Sequence, residues 1–122
     1  MRLIEQTREL LNECDASIKR FYCMRELDAS PDFFNDVKPH ADHIHSILVE
    51  WQQLTKQWIK ENQPKYIHAQ QVDNAVDAVD QFVVQSFYKK TSKKRFEQSV
   101  LAVHFTLTTL LRNLEEGESD VQ

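Results

Sequence analysis

Apolar residues recur along this chain at steps of three and four, the spacing that lines one face of a helix. Leu3, Thr7, Leu10, Cys14, Ile18 and Phe21 begin the pattern, and Ile4, Leu11 and Tyr22 widen it, which predicts one long amphipathic helix over residues 2–26. Asp28-Ala29-Ser30-Pro31 closes that segment. Ser30 as cap, Pro31 at the first helical position and Asp32 in the first turn then spell a new start. Pro39 lacks a backbone donor and crowds the carbonyl four residues earlier, so a kink or a separate short turn is expected before the main second helix.

From there Val37, Ala41, Ile44, Leu48, Trp51, Leu54, Trp58 and Ile59 keep to one face through residue 61, where Asn62-Gln63-Pro64 stops the run. A third helix is expected to carry Val72, Val76, Val79, Phe82, Val83 and Phe87, with Asp73, Asp77 and Asp80 as an acidic stripe beside that face. Lys89 to Lys94 reads as a polar connection. The fourth helix shows Phe96, Val100, Val103, Leu107, Leu110 and Leu114, with Gly117 expected at its end and residues 117–122 as an acidic frayed tail.

Four such helices with short links pack as antiparallel neighbours, and none can hide its stripe alone. The fold class expected is therefore all-α, an antiparallel up-and-down four-helix bundle with a Pro-kinked turn before the second helix, in one domain over residues 1–116. That path puts the 30–39 and 89–94 links at one end and the Pro64 link at the other. Burying Trp51 or Trp58 would each contribute a few kcal/mol, at roughly 25 cal/mol per Å² of apolar area.

Composition narrows the chemistry. The 122 residues include one Gly and three Pro, too few for a turn-rich sheet protein, and the single glycine excludes glycine-dependent phosphate cradles and nucleophile elbows. Fifteen basic and nineteen acidic side chains leave a net charge of −4, which argues against a nucleic-acid footprint over the whole surface. The run Gln98 to Leu111 carries no charge but is too short and too polar to span a bilayer. Arg2, Glu5, Arg8, Glu9, Glu13, Asp15, Lys19 and Arg20 break up the first twenty residues, unlike the apolar stretch of a secretory signal. Cys14 falls within the first stripe and Cys23 about half a turn away, so they cannot bridge, and a reduced cytoplasmic protein is expected.

Asp32-Phe33-Phe34 with Lys38-Pro39, Pro64-Lys65-Tyr66-Ile67-His68 with Gln71, Gln85-Ser86, Lys93-Lys94-Arg95-Phe96 and Ser99-Val100-Leu101 occur in an order and spacing that resembles the YppE-like family of small bacterial proteins of uncharacterised function. The match runs from about residue 30 to residue 110, and the first helix matches in pattern only. The resemblance implies a four-helix up-and-down bundle and brings no activity, cofactor or catalytic residue with it.

Three clusters are candidates for binding. Lys89, Lys90, Lys93, Lys94 and Arg95 place five positive charges at a helix start, where amide donors attract phosphate, an acidic peptide or nucleic acid. Leu101 and Phe105 sit roughly 140° and 180° around the fourth helix from Phe96, an apolar pair off the core stripe that suits a partner or self-association surface unless the core face is broader there. His40 and His43 lie one turn apart and could face one ion. His45 points elsewhere, and neither Glu-x-x-His nor His-Glu-x-x-His occurs, so no metal ligand set and no cofactor is expected. Cys23 has no neighbouring His or helix start to activate it, and no catalytic motif is present. The function these residues support is a non-enzymatic protein-interaction module, monomer or weak homodimer, without a membrane span. Anion or nucleic-acid binding at Lys89–Arg95 and small-molecule or metal binding at the His40/His43 end are the alternatives.

Overall fold

Each predicted stripe becomes a helix whose apolar face turns inward in the computed structural model, which describes residues 1–119. The order is α1 (Arg2–Glu26), a five-residue π turn (Phe33–Val37), α2 (Lys38–Asn62), α3 (Ala69–Gln85) and α4 (Lys93–Ser119). Every helix packs on its successor, and α4 closes the ring against α1. The path is up-and-down. Lys89 of the third link pairs with Asp28 of the first, which places those two links at one end of the bundle as the topology requires.

The core runs the length of this ring. Trp51, Phe21, Phe82 and Phe96 are its largest fully buried side chains. Phe21 stacks on Phe96 with ring centroids 4.1 Å apart, and Phe82 meets Phe96 edge-on at 6.2 Å. Trp51 donates its indole N–H to Thr7 Oγ1 at 3.1 Å, and Thr7 donates in turn to the Leu3 carbonyl at 2.7 Å. A buried ring nitrogen is thereby satisfied inside an apolar layer. All six α4 stripe residues, Phe96 through Leu114, are buried.

The helix ends explain where the chain turns. α1 leaves through Asp28 in the left-handed region (φ 50), with Asp28 N–H bonded to the Arg25 carbonyl and Ala29 N–H to the Met24 carbonyl. These are the two closing bonds of a Schellman exit. α2 ends on Gln63, also left-handed (φ 46), and Pro64 prevents any return to the helix. At the start of α3, Gln71 Oε1 accepts the His68 backbone N–H at 2.7 Å.

Several expectations are corrected. The cap of the second helical segment is Asp32, not Ser30: its carboxylate accepts the Phe34 and Asn35 amides and the Asn35 side-chain amide, more donors than a serine hydroxyl would hold. Pro39 does demand a separate short turn, and that turn is π-wound, with Val37 N–H reaching the Asp32 carbonyl at 3.3 Å. Gly117 does not end α4, which continues to Ser119 with no positive φ; glycine lowers helix propensity without forbidding it. The expected 117–122 tail is therefore helical over 117–119, and its remaining positions lie outside the described residues. Tyr22 is exposed rather than part of the α1 stripe, because that stripe leans toward Gln6, Glu13 and Ser17. Trp58 is half-buried at the core margin, and Phe87 lies beyond the end of α3.

Candidate functional site

Charge lies inward where α1 meets the start of α2. Glu13 is only 6% exposed, and Ser17 and Ser86 are fully buried beside it. Glu13, Ser17 and Arg20 stand four and three residues apart, on one face of α1. Ser17 Oγ donates to Glu13 Oε2 at 2.8 Å, and Arg20 Nη1 reaches the same oxygen at 3.2 Å and Ser86 Oγ at 2.8 Å. His40 Nε2 lies 2.9 Å from Glu13 Oε1 and 3.3 Å from Arg20 Nη2. One nitrogen cannot donate to the carboxylate and accept from the guanidinium in the same tautomer, so the shorter contact to Glu13 is the hydrogen bond. Phe87 covers the group, with Arg20 4.6 Å above its ring and His40 6.2 Å from it. The junction joins α1, the start of α2 and the end of α3, and every charge in it has an opposite or polar partner. No local cue marks it in the sequence, since nothing short-range says that the Glu13 face is the inner one.

His40 is therefore held by α1, whereas His43 is exposed and His45 bonds to Asp80 at 3.0 Å. Among the described residues no three His, Cys, Asp or Glu side chains are placed to hold one metal ion. The α3 acidic stripe is largely answered from α2: Lys56 Nζ lies 2.6 Å from Asp73, whose carboxyl is held below its ordinary range chiefly by that bond.

The five cations at the third link do not converge. Lys89 pairs with Asp28, lowering that carboxyl, and Lys93 sits 5.5 Å from the Tyr22 ring centre. Arg25 reaches across from α1 to the Lys89 and Thr91 carbonyls while stacking 3.9 Å over Phe21. Lys90, Lys94 and Arg95 keep no ion pair among the described residues. Ala29, Ser30, Pro31, Tyr88, Lys89 and Lys90 line a crevice of about 290 Å³ at this end.

The outer side of α4 is the opposite case. Leu101 is 63% exposed and Phe105 70%. Their helix is free of formal charge from Gln98 to Leu111, although 28% of the chain is charged. A groove of about 290 Å³ runs along the other side of α4, between it and α3, lined by Gln71, Asn74, Ala75, Ala78, Ser99, Ala102, Val103 and Thr106. A second hollow, sharing Ser99 and Ala102 and adding Gln81, Gln85, Arg95 and Gln98, extends it toward the basic link. Small side chains make the hollow. The sequence placed the apolar pair outside the core stripe but missed the groove, which exists only because Ala75 and Ala78 of α3 come to face Ala102 of α4.

Comparison with known proteins fits this architecture. Residues 7–114 match the family model described as a bacterial domain of unknown function, DUF1798. The uncharacterised protein YppE of Bacillus subtilis (strain 168) is 28% identical over 117 residues, covering 96% of this chain and 95% of that protein. Its crystal structure superposes with a TM-score of 0.92 at 26% identity, over 96% of this chain and 95% of the other. A Listeria innocua protein of unknown function gives a TM-score of 0.92 at 25% identity, over 98% and 95% of the two chains. A Staphylococcus aureus protein from the DUF1798 family gives 0.82 at 25% identity, over 90% and 93%. Among the described residues no helix is long and apolar enough to cross a membrane.

Proposed function

The chain belongs to the bacterial DUF1798 family, and on that premise we propose that it is a non-enzymatic protein-interaction module of the cytoplasm that docks through the outer face of α4. The exposure of Leu101 and Phe105 on a charge-free stretch of helix is the observation that supports this reading. A solvent-facing apolar pair is surface that a partner can cover, and the small-residue groove on the α3 side of the same helix is space that it can fill. The two thiols agree with a reducing compartment, since Cys14 is buried and Cys23 exposed and neither is bridged.

The test is affinity purification at native expression level. A Phe105→Ser chain with an unchanged circular dichroism spectrum is expected to lose a partner that the parent chain retains. Recovery of the same partners by the Leu101→Ser and Phe105→Ser chains overturns the reading.

Anion binding at the third link is a second reading, favoured by Lys90, Lys94 and Arg95, which keep no ion pair among the described residues. It predicts binding of a phosphorylated or nucleic-acid probe that weakens with salt and in a Lys90→Gln, Lys94→Gln chain. No binding at low salt removes it.

A further inference from the structure

The seam between α1 and α2 holds the one buried side-chain oxygen or nitrogen that lacks a hydrogen-bond partner among the described residues. Gln6 is only 6% exposed, and no group of the described residues donates to its Oε1. The other end of the same amide is engaged, because Glu50 accepts a hydrogen bond from the Gln6 side chain. A carboxylate only accepts, so the amide nitrogen faces Glu50 and the carbonyl oxygen is the end left over. A buried acceptor without a donor has given up its hydration for nothing, which marks a place where a donor belongs.

Gln6 lines a hollow of about 270 Å³ whose charge is mainly negative. Glu5 and Glu9 of α1 and Glu50 of α2 set three carboxylates there against the one guanidinium of Arg2. Arg2 shows the chemistry that the hollow holds. It donates to both oxygens of Glu50, with Nη2 at 2.8 Å from Oε2. That bond, with Glu5 and Glu9 adding to it through space, pushes the Arg2 pKa above the usual arginine range. The Arg2 side chain is 68% exposed, so its pair with Glu50 is a surface contact that leaves room for a second cation. A single metal ion does not suit the space, since among the described residues no three His, Cys, Asp or Glu side chains surround one point. A longer cation with several N–H donors meets spread carboxylates one at a time, and Ile47 gives its alkyl stem an apolar wall.

We propose that this hollow binds a linear polyamine, whose ammonium groups donate to Gln6 Oε1 and to the carboxylates of Glu5 and Glu9. The site lies on α1 and α2 and is independent of the docking face on α4. An ammonium group is also carried by a lysine side chain of another protein, and the test separates the two sources.

The experiment is isothermal titration calorimetry of the full chain with spermidine at low ionic strength. Saturable binding in the range of about 0.1 to 1 mM is expected, weakening as salt is added. N-acetyl-lysine amide, with one ammonium group, is expected to bind about tenfold more weakly or worse. Glu9→Gln should weaken spermidine binding about fivefold, whereas Asp77→Asn, an equal loss of charge on α3, should leave it unchanged. Gln6→Leu removes the partnerless oxygen, so its chain should be no easier to denature than the parent yet bind spermidine about fivefold more weakly. Absence of saturable binding up to about 5 mM spermidine overturns the proposal. Equal weakening by Glu9→Gln and Asp77→Asn also overturns it, since the net charge alone would then attract the amine. Binding of the lysine amide as tight as that of spermidine overturns the polyamine as the source.

Discussion

The junction around Glu13 and the outer face of α4 depart from the usual distribution of side chains in opposite directions. One buries charge, the other exposes aromatic surface. In the junction each group is matched within the chain: Glu13 holds Ser17, Arg20 and His40, and Arg20 also holds Ser86. On α4 the exposed pair has no cover from the described residues. A buried ion group that is fully bonded explains itself as architecture, locking three helices in register. Exposed apolar surface that nothing covers points outside the molecule.

The largest effect expected from this contrast is in the junction. Glu13→Ala leaves Arg20 and His40 facing each other without their carboxylate, and chemical denaturation should show a loss of about 3–5 kcal/mol. A loss under about 1 kcal/mol would mean that water already shares the site, and the contrast would weaken. Next is the polar contact inside the apolar layer: Thr7→Val orphans the Trp51 indole N–H and should cost about 1–3 kcal/mol by the same measurement.

The thiols give a third, pH-dependent test. Burial pushes the Cys14 thiol up from 9.0 to about 12. A folded-state value above the unfolded one means the contribution is complete below about pH 9 and is lost as pH rises toward about 12, at about 1.4 kcal/mol per pH unit. Stability profiles of the parent and Cys14→Ala chains should therefore diverge in slope above pH ~9. A disulfide-exchange reagent should modify Cys23 rapidly and Cys14 only on unfolding. The smallest effect is expected on α4, where Phe105→Ser should leave monomer stability within about 0.5 kcal/mol of the parent. A large loss there would show that Phe105 supports the monomer, and the two regions would no longer differ in kind.

Most of the fold was legible because it rests on periodicity. The α3 valines and the α4 stripe needed only their spacing to be placed inside. The exit at Pro64 and the break at Pro39 followed from missing donors and steric crowding, which act within a few residues. What could not be read depends on distant partners. Glu13 looks like any helix-surface carboxylate until α2 brings His40 and the end of α3 brings Ser86. The basic link looks like one patch until Asp28 and Arg25 of the first link's end of α1 engage it. The exposure of Leu101 and Phe105 was half-legible: their angle on the wheel showed them off the stripe, but only the packing of α3 shows that no loop covers them.

The protein's single glycine sits within a helix, while both left-handed corners are occupied by residues with full side chains, Asp28 and Gln63. Each such corner strains the native backbone by about 1–2 kcal/mol, yet it also denies the denatured polymer the wide conformational range that glycine would give it. The two effects oppose one another at the same residue. This sequence therefore starts its search for the bundle from an unusually stiff coil, and has less disorder to surrender at the bends that reverse its direction.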